Sequence, residues 1–147
     1  MFKPEEHKFY SHPAIGIGYN NEIFNIYVYD KKLASEKKSG VYAWTIKTET
    51  GEIKPVYIGL YGEKAKEPSL RRRFRQHLGG LNSTLQGNPP TNHWRDCLVP
   101  NAKDYLKDGG KKIEIYFGHF NREEVAKLEE QLIQKYQPEW NSRGIVR

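Results

Sequence analysis

Between Ile23 and Asp30 the chain alternates, with Phe24, Ile26 and Val28 set against Asn25, Tyr27 and Tyr29, a two-residue period that predicts a strand with one buried face. The preceding AIGIGYNN supplies a hairpin partner. After the charged stretch DKKLASEKKSG comes GVYAWTIK, Gly40 to Lys47, a β-rich run that closes in the turn-prone TETGE. VYIGLYG predicts a second, short strand, with Pro55 marking its start. KIEIYFGHF sets Ile113, Ile115 and Phe117 against Lys112, Glu114 and Tyr116, a third core strand.

Elsewhere the period is helical. In EPSLRRRFRQHLGGL the residues Leu70, Phe74 and Leu81 form one stripe, Ser69 is a candidate N-cap, and Gly79-Gly80 predicts the stop. NSTLQGNPPTNHW reads as a loop. A second helix is predicted from about Trp94 to Lys107, with Pro100 a candidate interruption, ended by DGGKK. In VAKLEEQLIQKYQPEWN, Val125, Leu128, Leu132, Ile133 and Tyr136 gather on one face until Pro138 ends the run. From Gly40 the order is β-β-α-α-β-α. It predicts an α/β or α+β fold: a small central antiparallel or mixed three-stranded sheet flanked by helices. Residues 1–39 are expected to form an N-terminal β extension and residues 40–147 the main domain, one compact unit at this length of 147 residues.

Composition narrows the chemistry. No stretch approaches the roughly 20 apolar residues of a membrane span, and MFKPEEHKFY lacks the apolar block of a signal peptide, so a soluble, cytoplasmic protein is expected. Cys97 is the single cysteine, which excludes an internal disulfide and a multi-cysteine zinc site, and the 5 histidines show no close ligand pairing. Any metal would be held mainly by oxygen. A formal charge of +6 fits a polyanionic partner, nucleic acid foremost.

Some residues stand out against this background. Glu129 falls inside the apolar stripe of the last helix, whereas Glu123, Lys127, Glu130 and Gln134 point away. On the basic helix, Arg73 and His77 lie one turn apart and can look inward together, with Arg71 and Arg75 on the other flank and Arg72 facing away. The alternative is a set of solvated arginines and a core histidine bonded to a carbonyl. Tyr42 and Tyr57 project to one face if the intervening turn is centred between Thr50 and Gly51; a shift of one residue would separate them. Gly59 marks a close approach by a ligand or a helix.

Taken together, GVY at Gly40 to Tyr42, YIG at Tyr57 to Gly59, RFRQH at Arg73 to His77 and LEEQLIQKYQPEWN at Leu128 to Asn141 resemble the GIY-YIG nuclease superfamily, over about two thirds of the chain. The last block is similar to the end of the nuclease domain of the excision-repair incision subunit, whose spacing selects Glu129 and Asn141 and rejects Glu130. The Arg73 and His77 pair is similar to the pattern in homing endonucleases and GIY-YIG restriction enzymes. The resemblance implies a divalent-metal-dependent DNA endonuclease leaving 5′-phosphate and 3′-hydroxyl ends. It implies Glu129 as the ligand of one Mg²⁺ or Mn²⁺, Arg73 as the clamp on the scissile phosphate, and Tyr42 as general base supported by Tyr57 and His77. Gly59, Asn141, Arg71, Arg72 and Arg75 would border the substrate. A lysine that often follows the second triplet would be Lys64 or Lys66 here. Restriction, repair and mobile-element roles stay open, a homodimer would suit concerted cleavage of both strands, and the alternative is a nucleic-acid-binding module of the same fold without turnover.

Overall fold

The alternating segments form five strands: β1 (Ile15–Asn20), β2 (Ile23–Val28), β3 (Gly40–Lys47), β4 (Ile53–Tyr61) and β5 (Lys112–His119). The helices are α1 (Lys31–Ser35), α2 (Leu70–Leu85), α3 (Leu98–Lys107) and α4 (Arg122–Tyr136), and a 3₁₀ turn covers Pro4–His7. The computed structural model describes residues 2–62, 69–85, 98–108, 111–142 and 144–146, and of residues 76, 77, 83–85 and 99 the backbone alone. Lys64, Lys66, Trp94, Cys97 and most of the expected loop therefore lie outside the described residues.

All five strands join one antiparallel sheet in the order β2-β1-β5-β3-β4, so the fold is α+β. The expected three-stranded sheet is corrected to five. The N-terminal hairpin enters because β1 pairs with β5, Ile15 opposite Ile115 and Ile17 opposite Ile113. Matched alternation in β1 and β5 puts all four of those side chains, fully buried, on the same face. That face carries α2 and α3, which bury Leu70, Phe74, Leu81, Leu98 and Leu106 against Trp44, Phe24 and Phe117. The other face receives α4 through Val125, Leu132 and Ile133, packed on Val41, Ala43, Ile58 and Tyr116 with Phe2 and Phe9.

Two local expectations need correction. Gly79-Gly80 does not stop α2, which continues to Leu85. Two glycines cost a helix roughly 1 kcal/mol each, and tertiary contacts offset that. Leu81 is buried, and the Asn82 side chain accepts from Phe24 N at 2.9 Å and donates to Phe24 O at 3.2 Å. Pro55 lies inside β4 rather than ahead of it, which is tolerated because β4 is an edge strand and its pairing shifts there. Pro100 is the third residue of α3, in the first turn, where a missing N–H costs little. No helix among the described residues is long and apolar enough to cross a membrane.

Candidate active site

Tyr42 and Tyr57 meet because of a bulge. From Lys47 opposite Ile53 to Thr45 opposite Pro55 the pairing is centred on Thr50. Continued unchanged, that register would set Tyr42 against Ile58 and turn Tyr57 to the α4 face. The register shift between Trp44 and Thr45 makes Val56 an extra residue in β4, so that Trp44 opposes Tyr57 and Tyr42 opposes Gly59. Both tyrosine rings then lie on the α2 face, with centroids 6.3 Å apart.

The tyrosine rings explain two glycines. A Cβ on Gly59 would stand 2.6 Å from Tyr42 Cζ, and one on Gly40 would meet the Gly118 carbonyl oxygen as well as stand 2.6 Å from Tyr61 Cζ. Neither glycine has the positive φ found at Gly51, Gly62 and Gly144, so they serve space rather than conformation. Each is the cross-strand partner of the tyrosine that covers it: Gly40 opposes Tyr61 and Gly59 opposes Tyr42. Tyr61 was not singled out in the sequence, although its parity with Tyr57 and Gly59 places it on the same face. Its hydroxyl meets His119 Nδ1 at 3.2 Å, and His119 Nε2 lies 3.5 Å from Glu36.

Above these rings, α2 delivers Arg73. Ser69 caps the helix by accepting from Arg72 N at 3.1 Å, which sets the phase that packs Leu70 and Phe74 inward. Phe74 lies 5.2 Å from the Tyr42 ring. Arg73, beside it, reaches Tyr42: the Tyr42 oxygen accepts from the Arg73 guanidinium and from the Tyr57 hydroxyl. Arg72 and Arg75 are exposed and Arg71 half-buried on the flanks. His77 belongs to α2, and its side chain lies outside the described residues.

Glu129 comes from the opposite side. Its helix α4 packs on β3 and β4 through the stripe read from the sequence, and Glu129 is only 7 % exposed whereas Glu130 faces solvent. The Glu129 charge acts on Tyr42, Tyr57 and Arg73. The chain beyond α4 then runs along the free edge of β4. Trp140 N donates to Val56 O at 2.8 Å, and Asn141 accepts from Ile58 N and donates to Ile58 O, both at 2.9 Å. Asn141 therefore seals the β4 edge between Tyr57 and Gly59, as Asn82 seals β2 at Phe24.

Burial dominates the electrostatics. It pushes the Tyr42 phenol above its ordinary value even though Arg73 and the two donated hydrogen bonds pull the other way, and it pushes Tyr57 and Tyr61 well above theirs. Burial also opposes the Arg73 charge, but Tyr42, Tyr57 and Glu129 outweigh it and hold the guanidinium firmly cationic. A group whose pKa is raised on folding contributes stability below its unfolded value and loses it as pH rises through the folded one. Urea midpoints should therefore hold up to about pH 10, the unfolded tyrosine value, and fall above it. A midpoint unchanged between about pH 9 and 11 would show these phenols to be solvated.

The donor set can be tested against a divalent cation. Among the described residues no group of three or more His, Cys, Asp and Glu gathers. One buried carboxylate with neutral hydroxyls and a fixed cation beside it suits a hard ion that keeps most of its waters and shares a phosphate, and it does not suit an all-protein cage. Comparison with family models, with curated proteins and with solved structures returned no match.

Proposed function

We propose that this chain is a divalent-metal-dependent DNA endonuclease of the GIY-YIG kind, acting in the cytoplasm on phosphodiester bonds and leaving 5′-phosphate and 3′-hydroxyl ends. One observation carries the reading. Tyr42, Tyr57, Arg73 and Glu129, drawn from β3, β4, α2 and α4, converge on a single electrostatic cluster in which the Tyr42 oxygen takes hydrogen bonds from two of the others. Catalysis of this reaction needs an aligned water, a cation on the phosphate and a stabilised leaving oxygen. Arg73, kept charged by its neighbours, neutralises the scissile phosphate as charge develops. In its ionised form, with its own proton already lost to solvent, Tyr42 would orient the attacking water and take its proton. Arg73 and Tyr57 both donate to the Tyr42 oxygen, which enlarges the ionised fraction that burial suppresses. Glu129 would hold the Mg²⁺ or Mn²⁺, which supplies Lewis-acid stabilisation of the phosphate and the departing 3′-oxygen. Asn141 acts as a positioning residue, holding β4 where Tyr57 and Gly59 are needed. A homodimer would place two such sites on opposite strands.

Arg73→Ala separates this reading from a binding module without turnover. The Arg73 contact strengthens in the transition state, so turnover on duplex DNA should fall about 10²- to 10³-fold. Affinity for the same duplex, measured in EDTA, should change little. Parallel losses of affinity in Arg71→Ala, Arg72→Ala, Arg73→Ala and Arg75→Ala, with no cleavage by the parent protein, would favour the binding module.

A further inference from the structure

The α4 face of the sheet is covered by its helix over β3 and β4. Over β1 and β2 it is topped differently. Gly16, Gly18, Asn25 and Tyr27 face that side, opposite in parity to the buried Ile15, Ile17 and Phe24 and the half-buried Ile26. With no side chains on Gly16 and Gly18, the rings of Tyr29 and Tyr27 lie down on β1: added Cβ atoms would stand 2.9 Å from Tyr29 Cζ and 3.0 Å from Tyr27 Cε2. Tyr29 remains 46 % exposed, and Ile23 at the hairpin tip 45 %. Lys112, from the neighbouring β5, holds its Nζ 4.8 Å from the Tyr27 ring centroid. Next to it a groove of about 340 Å³ crosses the β5–β3 end of the sheet, lined by Lys47, Lys111 and Lys112 with Tyr105 and Tyr116, and with Glu114 as its one acid.

We infer that this tyrosine shelf and lysine groove bind a single-stranded nucleic acid, with bases stacked on Tyr27 and Tyr29 and phosphates tracking toward Lys112, Lys111 and Lys47. Two features select that occupant. Glycines two residues apart in a strand set the rings roughly 7 Å apart along β1, about twice the 3.4 Å between stacked bases, so bases seated on both must be unstacked from one another. Lys47 lies 3.9 Å from Glu114 and Lys111 3.2 Å from Asp108, and with Lys112 the balance stays positive, which suits phosphate and opposes a second copy of the same basic surface. The rings lie over β1, three strand spacings or about 14 Å from β4, and on the other face from Tyr42. It stands apart from the nuclease reading.

The test is fluorescence anisotropy of the full chain in EDTA, with labelled 12-nucleotide oligothymidine, oligouridine and a hairpin duplex as probes. Tyr27→Leu/Tyr29→Leu should weaken binding of the single strands roughly tenfold or more while moving duplex binding little. Tyr27→Phe/Tyr29→Phe keeps both ring faces and should bind within about twofold of the parent. Lys112→Gln, which touches no core position, should also weaken the single-stranded probes, and it keeps the test open if the leucine pair unfolds. Unchanged single-strand affinity in the leucine pair and in Lys112→Gln overturns the inference. So does a change confined to self-association in sedimentation, which would make the shelf a contact between copies. Single-strand binding lost in these variants of a protein that never cuts DNA would leave the shelf intact and remove the nuclease reading; cleavage with no shelf effect would do the reverse.

Discussion

Glu129→Gln should lower DNA cleavage by about three orders of magnitude or more, the scale set by several kcal/mol of lost transition-state stabilisation, while DNA binding persists. The amide keeps the shape of the side chain and removes its charge. Glu129 lies on the buried stripe of α4, one residue and about 100° from Glu130, which is solvated. Glu130→Gln should therefore leave turnover unaltered and stability within about 0.5 kcal/mol of the parent. In metal-free buffer Glu129→Gln should unfold at the same urea concentration as the parent or a slightly lower one, since the amide removes a negative charge that helps to offset the burial of the Arg73 cation. Equal cleavage by the two glutamine variants would remove Glu129 from the site.

Gly59→Val should produce the largest loss of stability, about 3 kcal/mol or a fall of roughly 6–12 °C in Tm. Replacing glycine in a strand interior ordinarily stabilises by about 0.5–1 kcal/mol. Here the new Cβ meets the Tyr42 ring at 2.6 Å. That ring is fully buried, with Phe74 at 5.2 Å and Tyr61 at 6.1 Å, and has nowhere to go. Tyr42→Leu in the Gly59→Val background should recover part of the loss, because the clash disappears with the ring. Strictly additive costs would mean that the two residues are not pressed together.

Where the chemistry of folding is local, the sequence made it legible. The alternation of β2 and β5 and the stripe of α4 define those elements and put Glu129, not Glu130, toward the sheet. Long-range pairing was not legible. Nothing local to IGIGYN shows that β1 will seek β5 almost a hundred residues away, so the sheet has two more strands than expected. Gly79-Gly80 reads as a stop because Asn82 gives no periodic hint that it will hold the backbone of β2. Tyr42 and Tyr57 share a face, as expected for a turn centred between Thr50 and Gly51, but by another route: the turn is centred on Thr50 and the bulge at Val56 restores the parity. The role of Asn141 follows from the path of the chain after α4. Its spacing from Glu129 marked the residue, and only the fold shows both ends of its amide on Ile58.

The most direct measurement of the central claim is supercoiled plasmid incubated with the protein in Mg²⁺ or Mn²⁺ and, in parallel, in EDTA. The account predicts open-circular and linear DNA with either ion and none in EDTA, with ends that DNA ligase reseals because they carry 5′-phosphate and 3′-hydroxyl groups. Plasmid that is retarded on a gel yet stays supercoiled with both ions, or that is cut equally in EDTA, would contradict it.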